Sequence, residues 1–341
     1  MPLHGANPRN LYRLFGIEMP ERVLDFSTNT NVIEWGGSWD FPIKDRLSNY
    51  PDGECLRVRE LIASAEGCSP DSILVTNGSN EGIYLIASYF SGMRASFMDP
   101  LYGEYRRAAQ AYGAVEVQSG EKPDVSFICN PCNPTGAYIE RDDMRETVSS
   151  SRETLFVVDE AYIDFLRCGH RPLSPLEHPN LIVLRSLTKI YHLSGARIGY
   201  LLAPDEWIRR LKARQPSWSV NSLAQDVAVR FLEDRDFVRK TRSFYAEETP
   251  RFISSLINAG FEVAPSMMNF FLVRVQNDME TIAALMKRGI IVRHTRNFKG
   301  LDGRFVRVAT RAPEDNDYFV KCIREESPPG FQRLTPTPAI G

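Results

Sequence analysis

Four short apolar runs in this chain each end in residues able to do chemistry. After 73–76 comes Asn77-Gly78-Ser79-Asn80-Glu81, opening a helical stretch. Small residues at a helix start leave backbone N–H groups and the positive end of the helix dipole open, which suits a phosphate. Taken alone, the same residues read equally as a plain N-cap. After 125–129 comes Asn130-Pro131-Cys132-Asn133-Pro134-Thr135-Gly136. Its prolines and glycine make a rigid turn that would hold the Asn133 amide still, or simply a turn. The run 155–159 closes on Asp159, with Glu160, Ala161 and Tyr162 behind it. A carboxylate ending an apolar strand is costly unless paired; a ligand with a protonated ring nitrogen would pair with it, and capping the next helix is the plainer alternative. The run 181–184 leads into Arg185-Ser186-Leu187-Thr188-Lys189 and then Ser194-Gly195-Ala196-Arg197. Ser186, Thr188 and Arg197 offer two hydroxyls and a guanidinium to a phosphate. Lys189, among cations, would have a lowered pKa and could condense with an aldehyde, although a lone lysine is more often a solvated surface residue.

A fold must bring these ends together. Between residues 55 and 202, β-rich runs (73–76, 95–98, 125–129, 155–159, 181–185, 198–202) alternate with helical patterns (55–66, 81–90, 104–112, 141–150). That alternation predicts a largely parallel sheet covered on both faces, with ligands at the carboxyl ends of its strands. From about residue 204 the pattern changes: helical stretches at 206–214, 219–232 and 237–259 precede strand runs at 270–275, 290–293 and 305–309. The expected organisation is an N-terminal arm (1–30), a large domain (31–215), connecting helices with a smaller α+β domain (216–326), and a loose tail rich in proline and glycine (327–341).

Bulk properties exclude several functions. The 341 residues carry 41 Lys+Arg against 43 Asp+Glu, a net charge of −2, so nothing draws the chain to nucleic acid or an anionic membrane. No run is long and apolar enough to span a bilayer, and the start lacks the apolar core of a secretory signal. Six scattered cysteines read as reduced thiols, so a cytoplasmic location is expected. Cys129 and Cys132 form a C-x-x-C pair without a second ligand pair, so no metal is expected. The sequence has no G-x-G-x-x-G after a strand, no Walker A and no H-E-x-x-H.

Taken together, the motifs NPCNPTG, DEAY and SLTK followed by Arg197, with Asn133, Asp159 and Lys189 in that order, resemble the pyridoxal-phosphate enzymes of the aspartate-aminotransferase fold (fold type I) over nearly the whole chain. The resemblance implies an α/β fold and the cofactor pyridoxal 5'-phosphate. Lys189 would hold that cofactor covalently and move protons, Asp159 would keep its ring nitrogen protonated, and Asn133 and Tyr162 would bond its phenolate oxygen. Tyr102 would stack on the ring. Ser79 and Asn80 would take the phosphate with Ser186, Thr188 and Arg197. Tyr50 would reach that phosphate from a neighbouring subunit, which implies a homodimer.

Two subgroups share these residues: the histidinol-phosphate aminotransferases and the L-threonine O-3-phosphate decarboxylases of cobalamin biosynthesis. His4-Gly5-Ala6-Asn7, the 24–31 segment, the 216–221 segment, Arg293 and the 300–307 segment resemble the decarboxylases. By that resemblance the substrate is a small phosphorylated amino acid. Arg307 would hold its carboxylate end, and His4, Gly5, Asn29 and Arg293 would help bind it, with Asn133 also at the substrate. Strand-surface arginines and a solvated arm histidine are the plain alternatives. The chain departs from the pattern in an extra residue before Trp218 and in the hydroxyl-rich Ser27-Thr28-Asn29-Thr30, which could favour phosphoserine over phosphothreonine. A cofactor-binding protein without catalysis is a remoter alternative. Arg311 receives no role.

Overall fold

The computed structural model describes residues 5, 7–118, 120–166 and 173–326. Its strands are β1 (Leu24–Asp25), β2 (Ile73–Thr76), β3 (Arg94–Phe97), β4 (Val115–Glu116), β5 (Val125–Cys129), β6 (Leu155–Asp159), β7 (Leu181–Ser186), β8 (Gly199–Leu202), β9 (Phe270–Arg274), β10 (Ile290–Ile291), β11 (Arg293–His294) and β12 (Phe305–Ala309). By packing, the chain divides into two compact units.

One unit takes residues 33–131 and 138–242. Its seven-stranded sheet runs β2-β8-β7-β6-β5-β3-β4, with β8 antiparallel to both neighbours and the other pairs parallel. Every residue of β6 and β7 is buried, as strands covered on both faces must be. Parallel strands need crossovers: Glu104–Ala111 joins the neighbours β3 and β4, Arg141–Ser149 joins β5 and β6, and Gly78–Tyr89 carries the chain from β2 to β3 on the far side of the sheet order. The last of these buries Ile83, Leu85 and Ile86 among Phe127, Leu184 and Leu201. Each such side chain contributes about 1.5–3 kcal/mol over an exposed one. Residues 216–242, grouped with the C-terminal domain from sequence, pack with this unit. The reason is the helix Ser222–Glu233, whose Phe231 lies 5.0 Å from the Tyr191 ring and 4.4 Å from Trp35.

The other unit takes the described residues up to 32, then 132–137 and those from 243 on. It holds an antiparallel sheet β11-β12-β9 and a parallel pair β1-β10 around a core of Phe26, Phe252, Phe271 and Phe319. The run read as one strand at 290–293 is two: Ile290–Ile291 pair with β1, and Arg293–His294 pair with β12. The N-terminal arm also carries a helix the sequence reading did not name, Pro8–Phe15. Its cues were present. Asn7 caps it through Asn10 N at 3.1 Å, proline takes the first position, and Gly16 closes it at φ +62°. Among the described residues no helix is long and apolar enough to cross a membrane, and no group of acidic, histidine or cysteine side chains could hold a metal.

Candidate active site

In the seven-stranded unit, register aligns the ends of three neighbouring strands. Thr76 lies opposite Gly199, and Gly199 opposite Ser186. The helix Gly78–Tyr89 begins at that level without a side-chain cap, so its first-turn N–H groups, those of Ser79 and Asn80 included, have no carbonyl one turn back. Only glycine lets β8 pass so close: a Cβ on Gly199 would stand 2.8 Å from Ser79 N and 2.7 Å from Arg185 O. The Arg197 guanidinium lies against the same helix start, where a Cβ on Gly78 would meet Nη2 at 2.6 Å. Arg197 Nη1 donates to Ser194 O at 3.0 Å. The buried hydroxyls of Ser186 and Thr188 are 2.7 Å apart. Helix amides, two hydroxyls and a guanidinium thus share one level of the sheet, a donor set made for a phosphate.

Asp159 ends β6 and is 4% exposed. Its Oδ2 accepts from Tyr105 Oη at 2.6 Å and its Oδ1 from Ala161 N at 2.9 Å. Burial raises its pKa, while Tyr105, Ala161 and Lys189 pull it down. Lys189, on the short helix Leu187–Ile190, holds Nζ 5.8 Å from the centre of the buried Tyr162 ring. Tyr102 hydrogen-bonds the Asn80 side chain and meets Tyr105 edge-on at 5.8 Å; burial, then Glu104 and Asp159, push its hydroxyl pKa up. Asn80, Tyr102, Tyr105 and Asp159 are therefore linked. Tyr105 was not foreseen; it sits in a helix at no distinctive spacing. Nor was the pair behind the site, where buried Arg185 Nε lies 2.7 Å from Glu160 Oε2. Burial pushes the Glu160 carboxyl up to about 7, against the pull of Arg185.

The other unit gathers a second cluster. Arg293 and Arg307 are direct cross-strand partners in the β11–β12 ladder and therefore share one face; each is 5% exposed. Arg307 Nη1 donates to Asn133 Oδ1, and Nη2 to Ser27 O at 2.7 Å. These two acceptors are neutral oxygens, which aim the guanidinium without cancelling its charge. Arg293 Nη2 donates to Asn297 Oδ1 at 2.8 Å. Asn133 sits in a turn closed by Cys132 N to Ala137 O at 2.8 Å and Gly136 N to Cys132 O at 2.7 Å. Asn29 is buried, and its side-chain Nδ2 has no hydrogen-bond partner among the described residues. Gly5 lies against Ser27, where a Cβ would come within 2.9 Å of Oγ.

Other expectations meet different surroundings. The hydroxyls of Ser27 and Thr28 donate to Asp25. Arg311 is tied to Asp315 and to Asp25 O. Tyr50 is 79% exposed and stacks on Trp218 at 4.6 Å. His4 lies outside the described residues.

A model of the aminotransferase class I and II family matches residues 40–323. The chain belongs to that family. A threonine-phosphate decarboxylase of Salmonella typhimurium is 31% identical over 350 residues, spanning 94% of this chain and 95% of its own. A histidinol-phosphate aminotransferase of a Thermoanaerobacter species is 33% identical over 330 residues, 90% of each chain. The solved structure of histidinol-phosphate aminotransferase from Sinorhizobium meliloti in complex with pyridoxal 5'-phosphate superposes with a TM-score of 0.82 at 21% identity, covering 95% of both chains.

Members of this aminotransferase family depend on pyridoxal 5'-phosphate, and the residues present fit it. The uncapped helix start with Ser186, Thr188 and Arg197 matches a phosphate. Asp159 is a buried anion held by neutral donors, ready for a protonated ring nitrogen, and Lys189 supplies an amine beside it. The fold-type I architecture and the cofactor implied by the sequence motifs hold. The two relatives carry different activities at nearly equal identity.

Proposed function

We propose that the protein decarboxylates L-threonine O-3-phosphate to (R)-1-amino-2-propanol O-2-phosphate in cobalamin biosynthesis, as a cytoplasmic homodimer. The observation that carries this reading is the opposed, buried pair Arg293 and Arg307. Two buried guanidinium groups on one face of a ladder make a cationic surface with many N–H donors. A ligand with two anionic ends suits such a surface. L-threonine O-3-phosphate carries a phosphate and a carboxylate on one short frame; histidinol phosphate carries only a phosphate, and its transaminase would meet two anionic ends only in the dicarboxylate co-substrate.

Arg307, aimed by Asn133 and Ser27, takes the carboxylate in this reading; Arg293 takes the phosphate, helped by the Asn29 amide, Gly5 and His4. When bound, pyridoxal 5'-phosphate supplies a sink for the electron pair released at Cα. Arg307 would hold the carboxylate by its guanidinium, fixing which substituent of Cα is released. The Cα–carboxylate bond breaks, carbon dioxide leaves, and Lys189 Nζ delivers a proton to Cα. Asp159, its orientation fixed by Tyr105, would pair with the cofactor's ring nitrogen. Tyr50, exposed on a segment whose helix Ile43–Ser48 buries no residue, would serve the phosphate cradle of the partner chain. The described cysteines form no disulfide, which supports a reducing compartment.

The test supplies the cofactor-loaded protein with O-phospho-L-threonine, and O-phospho-L-serine alongside, and measures gas release. One carbon dioxide per substrate consumed is expected. Consumption of histidinol phosphate with 2-oxoglutarate, and no carbon dioxide from either phosphoamino acid, would overturn the reading in favour of a transaminase.

A further inference from the structure

We propose that Asp25 is a positioning residue that aims Arg307 at the anionic end of the substrate; this rests on the role given to Arg307 above. The segment after β1 is pinned at one point by the core. Phe26 is fully buried, 4.9 Å from Phe319 and 6.1 Å from Phe252, and its carbonyl accepts from Ala309 N at 2.9 Å. That contact joins the segment to β12 two residues beyond Arg307, but leaves the direction of the next carbonyl open.

Asp25 closes that freedom. Its Oδ1 accepts from Ser27 N at 2.8 Å and from Ser27 Oγ at 2.5 Å, and its Oδ2 accepts from Thr28 Oγ1 at 2.8 Å. Three donors on one carboxylate make a tight Asx-type turn. Its product is the orientation of Ser27 O, the oxygen that receives Arg307 Nη2. The carboxylate is itself anchored from behind, because its residue pairs with Ile291 in the parallel ladder and its carbonyl accepts from Arg311 Nη1 at 3.2 Å. An anion placed directly on Arg307 would compete with the substrate. Asp25 instead works through a neutral carbonyl, its negative charge engaged by hydroxyls and an amide. The hydroxyls of Ser27 and Thr28 thus belong to the support of Arg307.

A double-mutant cycle separates this role from a general structural one. The cofactor-loaded protein is titrated with O-phospho-L-threonine, binding being read from the cofactor's absorbance, for wild type, Asp25→Ala, Arg307→Lys and the double variant. Each single change is expected to weaken binding roughly tenfold, with the double variant within about twofold of the weaker single one. Multiplied losses, roughly hundredfold in the double variant, would overturn the proposal, as would full binding by Asp25→Ala. Thr28→Val removes one of the three donors and covers the case in which Asp25→Ala fails to fold. It should weaken binding by about threefold, and have no effect in the Arg307→Lys background; an equal loss in both backgrounds counts against the proposal. If wild type binds no O-phospho-L-threonine, the decarboxylase reading fails, and the same cycle run with L-histidinol phosphate decides the role of Asp25 on its own.

Discussion

In the seven-stranded unit the reactive groups stand at the ends of adjacent strands: Asp159 closes β6, Ser186 closes β7, and Arg197 lies just before β8. In the other unit Arg293 and Arg307 face each other as one of the two residue pairs of a short ladder, on strands joined by the 295–304 loop. The first arrangement tolerates small shifts, because a strand end stays a strand end. The second does not, since slipping β11 by one residue against β12 would turn Arg293 to the opposite face. Chemistry at strand ends is robust to register; recognition by an opposed pair is built from it.

That contrast predicts separate failures, the largest in the strand-end cluster. Lys189→Ala removes the amine proposed to move the proton, and turnover should fall by roughly 10^3-fold or more while the fold persists. The absorbance band of cofactor joined to the lysine should vanish with it. Near-normal turnover in the variant would break the assignment of chemistry to this unit. Asp159→Asn keeps the shape but replaces the buried anion, and kcat should drop by about 10^2–10^3-fold with cofactor still bound. Arg293→Gln acts on the other region. It should raise KM for O-phospho-L-threonine by about 10–100-fold and change kcat much less, the value of one charge-assisted contact. An unchanged KM with a collapsed kcat would erase the division of labour between the units.

The same contrast explains what the sequence could reveal. Asn133, Asp159 and Lys189 were readable because polar residues directly after apolar runs are unusual enough to notice, and their order matched a known pattern. The parallel sheet was readable from alternating runs for the same local reason. Opposition of Arg293 and Arg307 was not, since 290–293 reads as one strand and register depends on the loop between partners. Tyr105 reaches Asp159 across a helix-to-strand packing distance that no spacing encodes. The clasp of Asp25 on Ser27 and Thr28 is local, and the Asp-x-Ser-Thr order was its signal; the segment was instead read only for a preference in substrate size. The helix Pro8–Phe15 also had its cap, proline and glycine in plain sequence.

The smallest expected effect lies behind the strand-end cluster, at Glu160, and it concerns stability rather than turnover. Burial raises its carboxyl from the ordinary value to about 7 in the folded chain, in spite of Arg185. A raised folded value means the folded protein holds that proton more tightly than the unfolded chain does. Its contribution is therefore fully present below the unfolded value, near 4.3, and is lost as pH rises through about 7. Glu160→Gln keeps a neutral group at all pH, so the variant should lack this part of the decline between about pH 4.5 and 7.5 in denaturant midpoints. The loss of an ion pair with buried Arg185 works the other way and should lower stability most at high pH, where the wild-type carboxyl is charged. The two effects have different signatures: one flattens the slope, the other offsets the high-pH end. A slope equal to wild type would mean that Glu160 is charged throughout and that Arg185 outweighs both burial and the like charge of Glu66. The buried charges beside Asp159 would then be a permanent ion network, and the strand-end unit would owe less of its pH response to desolvation than the geometry indicates.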